Sequence, residues 1–279
     1  VSFLVVGDWG REGKHGQAET AAQMERSAAA LGSRFVISTG DNVYESGVRS
    51  VDDPAWKKSY EDIYTGTHLQ TPWYAVLGNH DYLLNPQAQV DYSAKSPRWR
   101  MPARYYTWTE RVDAATEVQF FALDTNPMIK DYRSKPEKFP TLVGMDPAVQ
   151  LAWLDAELAK STARWKIVLG HHPVYTHGRY HKSSPELIAG LKPILERRGV
   201  QVYLAGHEHD QQYLRDSGPV HYVVTGAGSQ IRGTGTGEHT RWAEGSISGF
   251  VTCVLHADRL DLRFLDKNGR ELKALDIRP

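Results

Sequence analysis

Cysteine is the scarcest of the chemically useful residues here: Cys253 is the only one among 279. A lone thiol excludes an internal disulfide framework and any cysteine-rich zinc site. It falls in a strand pattern and reads as a small buried apolar residue. An excess of either charge is also missing, because 33 Lys and Arg balance 33 Asp and Glu. A chain of zero formal charge carries no footprint for nucleic acid or for an anionic membrane surface. No apolar run reaches the roughly eighteen residues of a membrane-spanning helix. None of the five asparagines opens an Asn-x-Ser/Thr acceptor site. What remains is an ordinary globular composition, 41% hydrophobic and 24% charged. A chain of this length buries roughly three quarters of its unfolded surface and needs no covalent staple. It opens directly on the apolar run Val1 to Gly7, with no charged region or cleavage site ahead. That predicts either a cytoplasmic protein or one whose targeting segment has been removed.

Short apolar runs alternate with helical patterns along the front of the chain. Phe3 to Gly7, Arg34 to Thr39 and Pro72 to Leu77 read as strands, and Ala18 to Leu31 as an alanine-rich helix. Pro54 suits the first turn of a helix over Ala55 to Tyr64. Tyr105 to Trp108 and Val118 to Leu123 alternate as an antiparallel pair, whereas Asn126 to Asp146 reads as a surface excursion. Helix Pro147 to Lys160, strand Trp165 to Leu169, helix Pro185 to Arg198 and strand Val200 to Leu204 continue the rhythm. After Asp210 only short strands follow: Tyr213-Leu214, Val220 to Val224, Phe250 to His256, Leu260 to Phe264 and Glu271 to Ile277. A βα-rich front and a β-rich tail predict an α/β (α+β) chain, a four-layer αββα sandwich with two mixed sheets. No repeat or linker interrupts it, so residues 1–279 are expected to form one domain. The glycine-rich stretch Gly226 to Gly237 lacks the spacing of a phosphate cradle and is expected to be a mobile loop near the site.

Five strand ends finish alike, with glycine and then side chains that bind metals. They are Gly7-Asp8-Trp9-Gly10, Gly40-Asp41-Asn42-Val43-Tyr44, Gly78-Asn79-His80-Asp81, Val168-Leu169-Gly170-His171-His172 and Gly206-His207-Glu208-His209. Loops at the carboxyl ends of strands converge in α/β sheets, which is where ligand sites gather. Oxygen and imidazole donors suit iron, zinc and manganese. Two adjacent cations repel unless bridging anions lie between them. Asp41, central among the donors, is the natural bridge, and Asn79 offers a neutral carbonyl oxygen. His15, His68, His221, His239 and His256 have no such surroundings.

This set resembles the metallophosphoesterase superfamily and, within it, the purple acid phosphatases. That pattern is GDxG, GDxxY, GNH with D or E, VxxH and GHxH, and residues 7 to 209 match every part. Tyr44 discriminates: most other metallophosphoesterases begin with DxH, where this chain has Asp8-Trp9-Gly10. Val202 to His209, Tyr213-Leu214 and Thr225 to Gly228 further resemble the small, mammalian-type members. The resemblance implies a dimetal site at the strand C-terminal ends. Asp8, Asp41, Tyr44 and His209 would hold one ion, and Asp41, Asn79, His171 and His207 the other. A phenol with an ordinary pKa of ~10 binds as phenolate only to a strong Lewis acid, which ferric iron is. The partner ion is divalent: iron, zinc or manganese.

A trivalent and a divalent ion, set against two carboxylates, a tyrosinate and a hydroxide, leave about one positive charge for a phosphate. The expected activity is phosphomonoester hydrolysis by metal-hydroxide attack on a small phosphorylated substrate. His80 and His177 are the candidates for orienting phosphate and protonating the leaving group, with His172 or His181 as alternatives to His177. His172, Asp81 and Glu208 are expected to support the ligands by packing or hydrogen bonds. Family habit suggests a periplasmic or secreted protein. Two rivals stand: a phosphodiesterase using the same metals, and a non-catalytic scaffold that kept the fold.

Overall fold

The computed structural model describes residues 1–279. Its strands form two seven-stranded mixed sheets. The first contains, from edge to edge, β14 (Glu271–Ile277), β13 (Leu260–Asp266), β12 (Gly249–Leu255), β1 (Ser2–Val6), β2 (Phe35–Ser38), β3 (Trp73–Ala75) and β4 (Trp99–Arg100). The second contains β11 (Thr240–Glu244), β9 (Gln211–Leu214), β10 (His221–Thr225), β8 (Val202–Ala205), β7 (Trp165–Leu169), β6 (Glu117–Ala122) and β5 (Tyr106–Arg111). Strands β1 to β4 are parallel, as are β6, β7, β8 and β10. The tail of the chain adds antiparallel strands beside each set.

The alternation of side chains across a strand explains the layering. On β6, β7, β8 and β10, Phe120, Ile167, Leu204 and Val223 face the first sheet. Their chain neighbours Phe121, Val168, Tyr203 and Val224 join a separate apolar cluster with the helices. Strands buried on both faces read as continuous apolar runs, as these do. Helices α1 (Gln17–Leu31), α2 (Pro54–Trp56) and α3 (Pro86–Asp91) cover the first sheet through Met24, Trp56 and Ala88. Past α4 (Lys130–Arg133), helices α5 (Pro147–Lys160), α6 (Pro185–Gly190) and α7 (Lys192–Arg197) cover the second through Leu154, Leu187 and Leu195. No helix is long and apolar enough to cross a membrane.

The expected αββα sandwich is present, with local departures. The helix expected over Pro185 to Arg198 is two, because Pro193 cannot supply a helix-interior N–H. The helix expected over Ala55 to Tyr64 closes as a short α-turn followed by a wider turn over Lys57–Glu61. The stretch Asn126 to Asp146 is not merely surface, since Met128, Phe139 and Leu142 are buried. Edge strand β11 lay unseen because its half-exposed Thr-Arg-Trp-Ala-Glu sequence shows no apolar periodicity.

A cluster of aromatic rings joins the sheets. Phe3 and Phe35 stack with centroids 5.0 Å apart, and Phe120 meets them edge-on at 5.5 and 5.6 Å. Trp108 stacks on the far side of Phe120 at 4.6 Å. Phe120→Ala should therefore lower the unfolding free energy by about 3–5 kcal/mol in urea titration, the range for a truncated core aromatic. A loss below about 1 kcal/mol would show that this cluster does not hold the sheets together.

Candidate metal centre

The parallel strands of both sheets deliver their carboxyl ends to one place. β1 leads to Asp8, β2 to Asp41, β3 to Asn79 and His80, β7 to His171, and β8 to His207 and His209. Backbone hydrogen bonds tie these ends together across the gap between sheets. Gly7 donates to Thr225 O at 2.9 Å and Gly228 to Gly7 O at 3.0 Å, while Gly206 ties β8 to β7 within the second sheet through His171 O at 2.9 Å. Asp8, Asp41 and His207 sit at φ of 59°, 51° and 73°. Non-glycine residues held there carry strain of about 1–3 kcal/mol each and persist only where surrounding structure enforces the geometry. Gly78 is needed for close approach: a Cβ there would lie 2.1 Å from Asp41 Oδ1 and 2.3 Å from Asp41 N.

Seven side chains from these ends form two groups of donor atoms. In one, Tyr44 Oη lies 2.9 Å from Asp8 Oδ1, 2.8 Å from Asp41 Oδ2 and 3.0 Å from His209 Nε2. In the other, Asn79 Oδ1 lies 3.1 Å from His171 Nε2 and 3.0 Å from His207 Nδ1, and those nitrogens are 3.2 Å apart. Asp41 faces both groups. Its Oδ2 belongs to the first, and its Oδ1 is 3.6 Å from His171 Nε2.

The tautomers follow from the second ring nitrogens. His171 Nδ1 donates to Thr39 O at 2.9 Å, and His209 Nδ1 donates to Gln230 O at 2.8 Å. Carbonyl oxygens only accept, so each ring carries its proton on Nδ1 and turns the Nε2 lone pair toward the donor group. Lone pairs gathered this way repel unless a cation lies among them. Neighbouring donors about 3.0 Å apart suit an octahedral ion with bonds of about 2.1 Å, within the usual range for oxygen and imidazole ligands. The donor set and its spacing therefore fit a pair of metal ions.

The electrostatics agree. Burial, and then the Asp41 charge beside it, pushes the Asp8 carboxyl well above the ordinary range. Burial also opposes ionisation of Asp41, but the neighbouring His171 and His80 outweigh it and bring its pKa down. Burial followed by both carboxylates holds the Tyr44 phenol well above its usual value. Two carboxylates and a phenol this close cannot all ionise without added positive charge. Burial, then Arg232, depresses His209 to about 3, so it stays neutral in mild acid. The Arg11 guanidinium lies 3.6 Å from the Tyr44 ring centroid and pairs with Glu45 at 2.5 Å.

Around the donors, Asp81 and Glu208 are placed differently from expectation, whereas His172 packs against two of the donor rings. Asp81 bonds no donor side chain. It accepts from the backbone N–H groups of Gly78, Asn42 and Val43 at 2.8, 3.1 and 3.3 Å, clamping the two loops that carry Asp41 and Asn79. Glu208 holds His181, whose Nδ1 is 2.9 Å from its Oε1. His172 is buried against the His171 and His207 rings, with Nδ1 2.7 Å from Thr125 Oγ1.

A small pocket opens over the donors, lined by Asp41, Asn79, His80, His181, His207, His209 and Arg232. His177 does not line it. Its backbone is pinned by Gln212 Oε1 and by Gly235 N, and its ring packs where a Cβ on Gly237 would stand. The loop turns back after His177, so His181, four residues on, reaches the pocket instead. Arg232 was missed because its only signal was membership of the glycine-rich loop. Gly78→Ala should displace Asp41 and weaken divalent-cation binding at least tenfold in calorimetric titration, with the circular dichroism spectrum unchanged. Wild-type affinity would mean the Asp41 turn yields to the added methyl.

A calcineurin-like phosphoesterase family model matches residues 1–211. The chain is 35% identical to purple acid phosphatase 4 of Arabidopsis thaliana, across 99% of this chain and 83% of that protein. It is 34% identical to tartrate-resistant acid phosphatase type 5 of Oryctolagus cuniculus, across 98% of this chain and 89% of the rabbit protein. Among solved structures, one described as GAP50, the anchor in the inner membrane complex of Plasmodium, superposes with a TM-score of 0.86 at 25% identity, covering 100% of this chain and 88% of that one. With two sheets converging on a buried cluster of His and Asp donors, and near-full-length kinship to these enzymes, the chain belongs to the calcineurin-like metallophosphoesterases as a member of their purple acid phosphatase group.

Proposed function

We propose that the protein is a binuclear metal-dependent phosphomonoesterase. Asp8, Asp41, Tyr44 and His209 hold ferric iron, while Asp41, Asn79, His171 and His207 hold a divalent iron, zinc or manganese. The observation that carries this reading is Asp41, whose two oxygens face two separate donor groups. When bound, such ions act as Lewis acids on phosphate oxygens and make hydroxide available near neutral pH.

The chain's own residues do the rest. Arg11, stacked on the Tyr44 ring, favours the phenolate form by its charge. His80 Nδ1 donates to Glu45 O at 2.5 Å, leaving Nε2 on the pocket side, 4.0 Å from Asp41 Oδ2. Glu208 engages His181 Nδ1, so Nε2 is the free ring nitrogen. These two histidines flank a phosphate seated over the donors. They orient its oxygens and supply the proton that the leaving alkoxide needs, an acid contribution worth about 10²–10⁴ in rate. His181 takes the role that the sequence offered to His177.

The anchor named in the Plasmodium structure gives the scaffold reading a concrete parallel. All seven donors are present and gathered here, which favours the enzyme. Reconstitution with iron and a divalent metal should give two ions per chain and a visible absorption band that Tyr44→Phe removes. Fewer than one ion per chain would favour the scaffold, and a band surviving in the variant would take Tyr44 out of the ligand set. His181→Ala should lower kcat at least about a hundredfold at unchanged metal content, while His177→Ala stays within about threefold of wild type. The reverse ranking would return the role to His177.

A further inference from the structure

The pocket contains one permanent positive charge that pairs directly with none of the donor groups. Arg232 lies on the loop after β10, and its backbone N–H donates to His209 O at 3.1 Å. That bond anchors it to the turn carrying two of the donors. Its guanidinium lies 5.7 Å from the Tyr180 ring centroid and makes no side-chain hydrogen bond or ion pair with any protein group. Tyr180 is 61% exposed. A guanidinium resting on an aromatic face is held in plane with its N–H fork free. Arg11, the other arginine beside the donors, is committed to Glu45 and the Tyr44 ring. Arg232 thus faces a pocket floored by donors and flanked by His80 and His181, without a partner of its own.

An unpaired guanidinium in such a place is complementary to an anion with two free oxygens, which it binds through two parallel N–H bonds. A phosphomonoester is largely dianionic near neutral pH and has three non-bridging oxygens. A diester carries one charge and has two. We propose that Arg232 is a specificity-determining residue that binds the doubly charged terminal phosphoryl group and so selects monoesters over diesters. This rests on the phosphatase reading above and deepens it. Both ester types offer the fork two oxygens, so the discrimination comes from the second charge and the third free oxygen of the monoester, which let it meet the fork and the donor groups together.

The test uses the metal-reconstituted full chain at a pH of about 7. p-Nitrophenyl phosphate and bis(p-nitrophenyl) phosphate are compared for wild type, R232Q and R232K, and inorganic phosphate binding is measured by calorimetry. R232Q should lower kcat/KM for the monoester about thirtyfold and for the diester less than about threefold, as expected for loss of a charged hydrogen-bonding pair. It should also weaken phosphate binding at least about tenfold, with two metal ions per chain retained. R232K should recover only part of the monoester preference, because a point charge lacks the fork. An equal loss on both substrates, unchanged phosphate affinity or loss of metal in R232Q would each overturn the proposal. Wild-type protein inactive on both esters would instead refute the phosphatase reading itself.

Discussion

The structure is organised around a local repulsion. The Tyr44 phenol lies within 3 Å of both the Asp8 and the Asp41 carboxylate, and His171, His207 and His209 bring three imidazole nitrogens beside them. The protein offsets this arrangement only in part, through Arg11 on the Tyr44 ring and Arg232 near Asp8. It is held by strand ends pinned through hydrogen bonds from one sheet to the other, by three residues kept in the left-handed region, and by the Asp81 clamp. Two cations would turn that repulsion into the main attraction of the site. Asp41, facing both groups, is where the two halves of the cluster are joined.

The scaffold meets this constraint with rigidity. Parallel strands buried on both faces fix where each loop begins. Close-approach glycines let the backbones of the two sheets come together above them. Asp81 shows how far the reinforcement extends. Burial and the nearby Asp41 push its pKa up to about 7, yet it accepts several backbone and side-chain N–H groups that fix the Asp41 and Asn79 loops. Its part is to set the shape of the turns rather than to touch the donors. The aromatic cluster of Phe3, Phe35, Trp108 and Phe120 does the corresponding work between the sheets.

The residues proposed to handle phosphate stand on less regular chain. His80, His181 and Arg232 come from three loops, and each is oriented by a neighbour rather than by its own secondary structure. Glu45 O holds His80, Glu208 holds His181, and the Tyr180 ring supports Arg232. Glu208 lies between His207 and His209, so the same turn that presents two donor histidines also aims His181 into the pocket. On the proposed reading, cation binding and substrate handling meet in one short segment.

The seven donors were legible in the sequence because each follows a strand and a glycine, and that local pattern survives any arrangement of the rest. The layered fold was legible too, since strand alternation and helical spacing are properties of neighbouring residues. Which further side chains line the pocket was not. His177 and His181 lie four apart in one loop, and only the pinning of His177 by Gln212 and Gly235 shows which one reaches the pocket. Arg232 carries no motif at all. Its meaning comes from His209 and Tyr180, residues distant in the chain. Short-range chemistry is written in the order of residues, whereas the direction in which a loop side chain points depends on contacts with other segments, which exist only once the two sheets have closed on one another.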